Sequence, residues 1–196
     1  MKLDFFDVNT FIGRPMNGIF KPAKTGTDLV SEIRSQNISK AITWHILQYE
    51  CSPEKGNRTL VEEISGHPEL YGCWTILPPQ TGEIITKDFF RKMKENKIVA
   101  LNVFPEWHRF ILNRISFGEF LDELIERKIP LLLTMDRACL SWELLYGLMR
   151  EFPELTCILC DIGVWGVDRF TWPLLEKFPN FYLETSLLSL EEGGLE

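Results

Sequence analysis

Histidine is scarce in this chain of 196 residues: there are three, at positions 45, 67 and 108. A site that gathers several imidazoles around a metal has little to draw on. A basic patch is missing too. Lysine and arginine number 21 against 28 aspartates and glutamates, the formal charge is −7, and the cations are scattered. Non-specific nucleic-acid binding needs clustered cations to neutralise phosphates, so this balance argues against it. No apolar run approaches the ~20 residues of a membrane span. The opening Met1-Lys2-Leu3-Asp4 is not a secretory signal, because Asp4 and Asp7 interrupt the apolar stretch. Cysteines number 5, an odd and sparse set that builds no disulfide framework and fits a reducing cytoplasm. There is no Gly-x-Gly-x-x-Gly or Walker loop for nucleotides and no Gly-x-Ser-x-Gly elbow for a nucleophilic serine.

What is present is an alternation. Short apolar runs fall at 3–8, 40–46, 70–76, 99–104, 130–135, 156–162 and 181–185. Near-continuous apolar runs of this length suit strands covered on both faces. Amphipathic, helix-length segments lie between them at 27–36, 58–65, 86–96, 116–127, 141–152 and 168–178. Thr86 and Ser141 are candidate caps, and Pro173 points to a first helical turn nearby. His67-Pro68-Glu69-Leu70, Phe152-Pro153-Glu154-Leu155 and Phe178-Pro179-Asn180-Phe181 form a weak repeat between helix and strand. Proline stops the helix and an apolar residue opens the strand. The order predicts a single α/β domain over 1–196 with a parallel sheet and right-handed crossovers. Alternation by itself does not separate a barrel from an open doubly wound sheet. About seven strand–helix units are visible. The segment 187–196 begins like another helix, so the expectation is a TIM-like barrel lacking its last strand and helix: a truncation, a fragment, or a chain completed by a partner.

Several segments, in order, resemble the amidohydrolase-related family of TIM-barrel hydrolases and decarboxylases. They are Asp7-Val8-Asn9-Thr10-Phe11-Ile12-Gly13, Gly56-Asn57-Arg58, His67-Pro68-Glu69-Leu70-Tyr71-Gly72-Cys73-Trp74, Lys128-Ile129-Pro130-Leu131-Leu132-Leu133, Phe152-Pro153-Glu154-Leu155, and the run from Phe178 to Ser186. The resemblance extends from Phe5 to the C-terminus. It implies a first strand ending Asp-x-His-x-His, whose histidines bind a metal, with further ligands on the fifth, sixth and eighth strands. The matching positions here hold Asn9, Phe11, Thr134 and Asp161, and the eighth-strand aspartate has no counterpart. The resemblance therefore implies a degenerate metal site. No residue is assigned as a metal ligand and no cofactor is expected, a divalent cation held weakly by Asp7 and Asp161 with the Asn9 amide oxygen being the alternative.

Strand C-termini are where barrel chemistry sits, and they supply the candidates. The catalytic candidates are Asp7, His45, His108 and Asp161. Asp161 or Asp7 would act as base and His45 or His108 as acid/base. Each has a plainer alternative. Asp7 could bind turn N–H groups, His45 could be a half-buried histidine bonded to a loop, and His108 could be an ordinary loop residue. His67 precedes a strand and is read as structural. Asn9, Trp44, Trp107, Thr134 and Glu184 are the substrate-binding candidates, with Trp165 as a further pocket wall and Asp136 as a helix cap. Cys157 and Cys160 fall within one strand on opposite faces, so they form no redox pair and read as small hydrophobes. The function expected is a cytoplasmic amidohydrolase-like hydrolase or decarboxylase, acting on or binding a small carbonyl or carboxylated compound without the usual zinc. The alternatives are an inactive barrel that binds a small molecule or protein, and a homo-oligomer or partner-closed chain in which another subunit covers the open barrel edge. No nucleic acid or membrane partner is expected.

Overall fold

A computed structural model describes residues 4–16, 21–135, 140–163 and 168–186. Asp136, Trp165 and the segment 187–196 lie outside them. The chain divides into two compact units, one of residues 1–77 and 81–101, the other of residues 78–80 and 102–196.

The first unit holds β1 (Phe5–Ile12), α1 (Gly26–Ser35), β2 (Ile38–His45), a short α2 (Leu47–Glu50), α3 (Pro53–Ile64), β3 (Leu70–Thr75) and α4 (Phe89–Glu95). It also holds most of β4 (Ile98–Val103). β1 pairs with β2 and β2 with β3, both parallel. The helix starts follow from their sequences. Thr25 and Asp28 form a reciprocal capping box on α1. The Ser52 side chain caps α3 with Pro53 in its first turn, so α3 begins five residues before the apolar spacing predicts. Leu29, Val30 and Ile33 of α1 and Leu60 and Ile64 of α3 are buried. The first strand runs on to Ile12, beyond the predicted apolar run, because pairing with β2 continues through Thr10, Phe11 and Ile12. Thr86 is not the cap of α4. That helix starts at Phe89, and the Thr86 hydroxyl donates instead to Asp88.

The second unit continues with α5 (Arg114–Arg127), β5 (Leu131–Thr134), α6 (Trp142–Glu151), β6 (Cys157–Cys160), α7 (Asp168–Lys177) and β7 (Phe181–Leu183). β5 pairs with β6 and β6 with β7, again parallel. Asn113 caps α5 and Ser141 caps α6, the latter as predicted. Pro173 lies inside α7 rather than in its first turn. Cys157 and Cys160 are fully buried, and burial pushes the Cys157 thiol pKa up, so both act as small hydrophobes.

The strands follow sequence order, β1 to β7. A doubly wound sheet reverses its order at a switch point, whereas a (β/α) barrel adds each strand beside the last. The order therefore settles what alternation leaves open. The fold is of the TIM-barrel type with seven of its strands among the described residues. No helix among them is long and apolar enough to cross a membrane.

Candidate functional site

In the first unit the candidates stand at the ends of β1 and β2. Asp7 pairs with Ala41 and Thr10 with Thr43, so three steps along β1 match two along β2. This is a β-bulge. The Asp7 carboxylate accepts the Asn9 N–H at 3.0 Å across it, and the Thr10 hydroxyl donates to the Ile42 carbonyl at 3.0 Å. Unbroken alternation would put residues 7, 9 and 11 on one face. The extra residue breaks it. Asp7 shares the register of Ala41, whereas Phe11 shares that of Trp44, three residues on and so on the opposite face. The Phe11 and Trp44 rings pack at 5.5 Å, and Trp44 is buried. Trp44 thus packs on Phe11 at the strand end, and the Asp7 carboxylate bridges the bulge.

His45 pairs with Ile12 and is buried. Its Nδ1 accepts the Leu47 N–H at 3.1 Å, which places the neutral ring's proton on Nε2. Gly13, at φ +107°, passes so close that a Cβ there would lie 3.1 Å from the imidazole. Burial lowers the His45 pKa below its usual 6.5, and the nearby Glu63 carboxylate offsets part of this. His45 is therefore a neutral, loop-bonded histidine at neutral pH.

Behind it lies a buried polar network that strand-end reasoning misses. Gln48 Nε2 donates to Asn57 Oδ1 at 2.8 Å and to the Cys73 carbonyl at 2.9 Å. Asn57 donates to the Thr75 carbonyl at 2.8 Å and accepts the Thr75 N–H at 2.9 Å. The His45 N–H reaches Gln48 Oε1 at 3.3 Å. The network ties the C-terminal end of β3 to α2 and α3. The Gly56-Asn57-Arg58 segment is its sequence signal. Gln48 has none, because a four-residue helix carries no periodicity.

In the second unit, Trp107 is exposed in the loop after β4. His108 donates its backbone N–H to the Phe104 carbonyl at 2.9 Å, and its ring stands edge-on to Phe104 at 5.8 Å. The ends of β5, β6 and β7 bring three candidates together. Thr134 pairs with Cys160, and Asp161 follows directly. The Asp161 N–H points to Glu184 Oε2 at 3.5 Å, and the Glu184 N–H donates to the Leu159 carbonyl at 2.8 Å. The Glu184 carboxylate also accepts the Ser186 hydroxyl at 2.9 Å. Asp161 is held in the left-handed region, at φ +55°. Aspartate tolerates that region better than most residues, and such outliers gather at functional sites. Thr134 is buried, and its hydroxyl has no hydrogen-bond partner among the described residues.

The metal positions implied by the resemblance hold an amide, a phenyl ring, a hydroxyl and one carboxylate. Asn9 and Phe11 belong to the first unit, Thr134 and Asp161 to the second. Phe11 is packed on Trp44. Among the described residues no three histidine, cysteine, aspartate or glutamate side chains converge on a point that would hold an ion. This donor set does not fit a zinc centre of the family type.

The chain is similar in fold to several solved structures. One is a probable 2-pyrone-4,6-dicarboxylic acid hydrolase from Acinetobacter baumannii with citric acid bound: 13% identity, TM-score 0.65, covering 92% of this chain and 69% of that one. An uncharacterized TIM-barrel protein from Bordetella bronchiseptica gives 14% identity, TM-score 0.66, and coverage of 92% and 74%. A dihydroorotase from Campylobacter jejuni gives 13% identity, TM-score 0.58, and coverage of 92% and 53%, so this chain spans about half of it. At these identities the likeness shows the fold alone. No curated protein matches the sequence. The Amidohydrolase family model matches residues 44–192, three quarters of the sequence, and the chain belongs to that family.

Proposed function

We propose that this amidohydrolase-family protein binds a small carbonyl or carboxylated compound at the C-terminal ends of β5 to β7, and hydrolyses it without a family-type zinc. The observation that carries the reading is the Thr134 hydroxyl, buried and without a partner among the described residues. A buried hydroxyl left unbonded costs roughly 1–3 kcal/mol. A ligand oxygen accepting from it would recover that. Asp161, next to the strand partner of Thr134, is suited to take the proton from an attacking water as the Thr134 hydroxyl donates to the carbonyl oxygen. Water would add at the acyl carbon, the acyl–oxygen bond would break, and the proton would pass to the leaving oxygen.

The Acinetobacter neighbour's description supplies two probes, 2-pyrone-4,6-dicarboxylate and citrate. Calorimetry measures binding, and loss of the pyrone's ultraviolet absorbance measures hydrolysis. The expected result is binding that Thr134→Val weakens, with turnover that Asp161→Asn lowers by ~100-fold or more. Asparagine keeps the left-handed backbone accessible, so that variant isolates the carboxylate. Binding without turnover would favour the second reading, a ligand-binding barrel. Phe11 packed where the resemblance implies a metal-binding imidazole supports that reading. If neither compound bound nor reacted, both readings would fail for this ligand class.

A further inference from the structure

The first unit carries a pocket of about 570 Å³ at the opposite, N-terminal ends of its strands, lined chiefly by Phe5, Phe6, Lys40, Ile42, Tyr71 and Val99. That volume lies in the range of small-molecule sites. Barrel chemistry sits at the strand C-termini, so this pocket is separate from the site proposed above. Register explains how it forms. Phe6 pairs with Lys40 and Ile42 with Tyr71, which sets these four on one face of the sheet. The other face is covered by α3, whose Leu60 and Ile64 crowd Gly72, the partner of Thr43.

Two features of the pocket call for a ligand. Its apolar groups are left at water: Phe5 is 53% exposed, Phe6 49% and Val99 36%. Phe6 and Tyr71 already meet edge-to-face at 6.2 Å, a ready-made aromatic wall. Lys40, the one cation among the described residues that line the pocket, makes no hydrogen bond or ion pair with the other described residues. Ser39, by contrast, spends its hydroxyl on the Phe5 carbonyl at 3.3 Å. Asp4 also lines the pocket and opposes any negative charge that enters, so a ligand with one carboxylate, placed on Lys40, meets less repulsion than a diacid.

We infer that this pocket is a binding site for an aromatic monocarboxylate, its ring between Phe6, Tyr71 and Val99 and its carboxylate on the Lys40 ammonium. A charge-assisted contact in a partly desolvated pocket distinguishes the acid from its neutral isostere.

The test uses 2-naphthoate and its uncharged analogue 2-naphthalenemethanol, titrated by calorimetry into the full-length protein. The expected result is that naphthoate binds roughly tenfold more tightly. Lys40→Met should abolish the difference, and Tyr71→Ala should weaken both compounds. Lys40 is exposed, so its replacement leaves the fold intact. Thr134→Val, which should weaken binding at the C-terminal site, should change neither affinity, which keeps this result independent of that site. Equal affinities in the unaltered protein would overturn the inference, as would a preference that survives Lys40→Met or no binding of either compound. Self-association that Phe6→Ser removes and naphthoate does not disturb would overturn it too, by making the pocket a contact between copies.

Discussion

At the scale of single residues, the first unit is organised by hydrogen bonds that leave its candidate acid/base groups occupied. His45 shows the consequence most directly. The unfolded chain's imidazole protonates near its usual 6.5, whereas the buried ring protonates at a lower pH. Between those values the unfolded state holds more protons, so stability rises with pH there. The contribution is complete above about pH 6.5 and is lost as pH falls towards the folded-state value. Denaturant midpoints measured from pH 5 to 8 should therefore fall on the acid side, and His45→Gln should flatten that part of the profile. Asn57 carries a larger load. Asn57→Leu would strand the Thr75 N–H and one Gln48 donor bond inside the first unit. At roughly 1–3 kcal/mol for each stranded group, a loss of about 3 kcal/mol is expected in urea denaturation, with the m-value unchanged. How far the site could be read in the sequence follows from these cases. The strand-end positions of Thr134, Asp161 and Glu184 were legible because an apolar run ends where its strand ends. The face of Asp7 was not, because a one-residue bulge leaves no trace in composition. Nor was the Gln48 half of the Gln48–Asn57 pair, whose members are nine residues apart and meet only after α2 and α3 pack.

At the scale of elements, α2 and α3 pack closely enough to demand a glycine. A Cβ on Gly56 would lie 2.3 Å from the Gln48 backbone nitrogen. Alanine at a helix position ordinarily gains up to about 1 kcal/mol over glycine. Here the contact is backbone to side chain and cannot relax by a rotamer change, so Gly56→Ala should destabilise by about 1–3 kcal/mol despite the helix propensity. Thermal melts of the variant would read this, and a rise in Tm would show that α2 gives way freely. The same elements show why most of the fold was legible. Each predicted apolar run contains or overlaps a strand, since buried parallel strands need no polar face. Helix starts were less secure. Ser141 caps α6 as its sequence suggests, but α3 begins at Pro53, ahead of its apolar stripe, because Ser52 and Pro53 are start signals of their own. Pro173 was misleading because tertiary packing around the buried Leu174 holds α7 across it.

At the scale of the whole molecule, the strand order puts β1 and β7 last among the described residues, and terminal strands invite pairing with another chain. Each carries a feature that discourages it. β7 spans only Phe181–Leu183. β1 is longer but bulged, and Asp7 sits within it. Bulges, charge and shortness are the devices by which edges are blunted, and a net charge of −7 adds repulsion between copies. Light scattering should therefore give a particle near the 22.9 kDa of one chain. Added salt separates charge from geometry. It screens the repulsion between exposed charges but leaves the bulge in place, so the single-chain mass should persist at 0.5 M NaCl. Asp7→Val removes both devices from β1 at once, because the carboxylate that accepts the Asn9 N–H is also the strand's negative charge. That variant should associate in a concentration-dependent way. If the unaltered protein instead formed a dimer that a proline in β1 dispersed, the edge would be a real interface, and closure by a second subunit would replace the blunted-edge account.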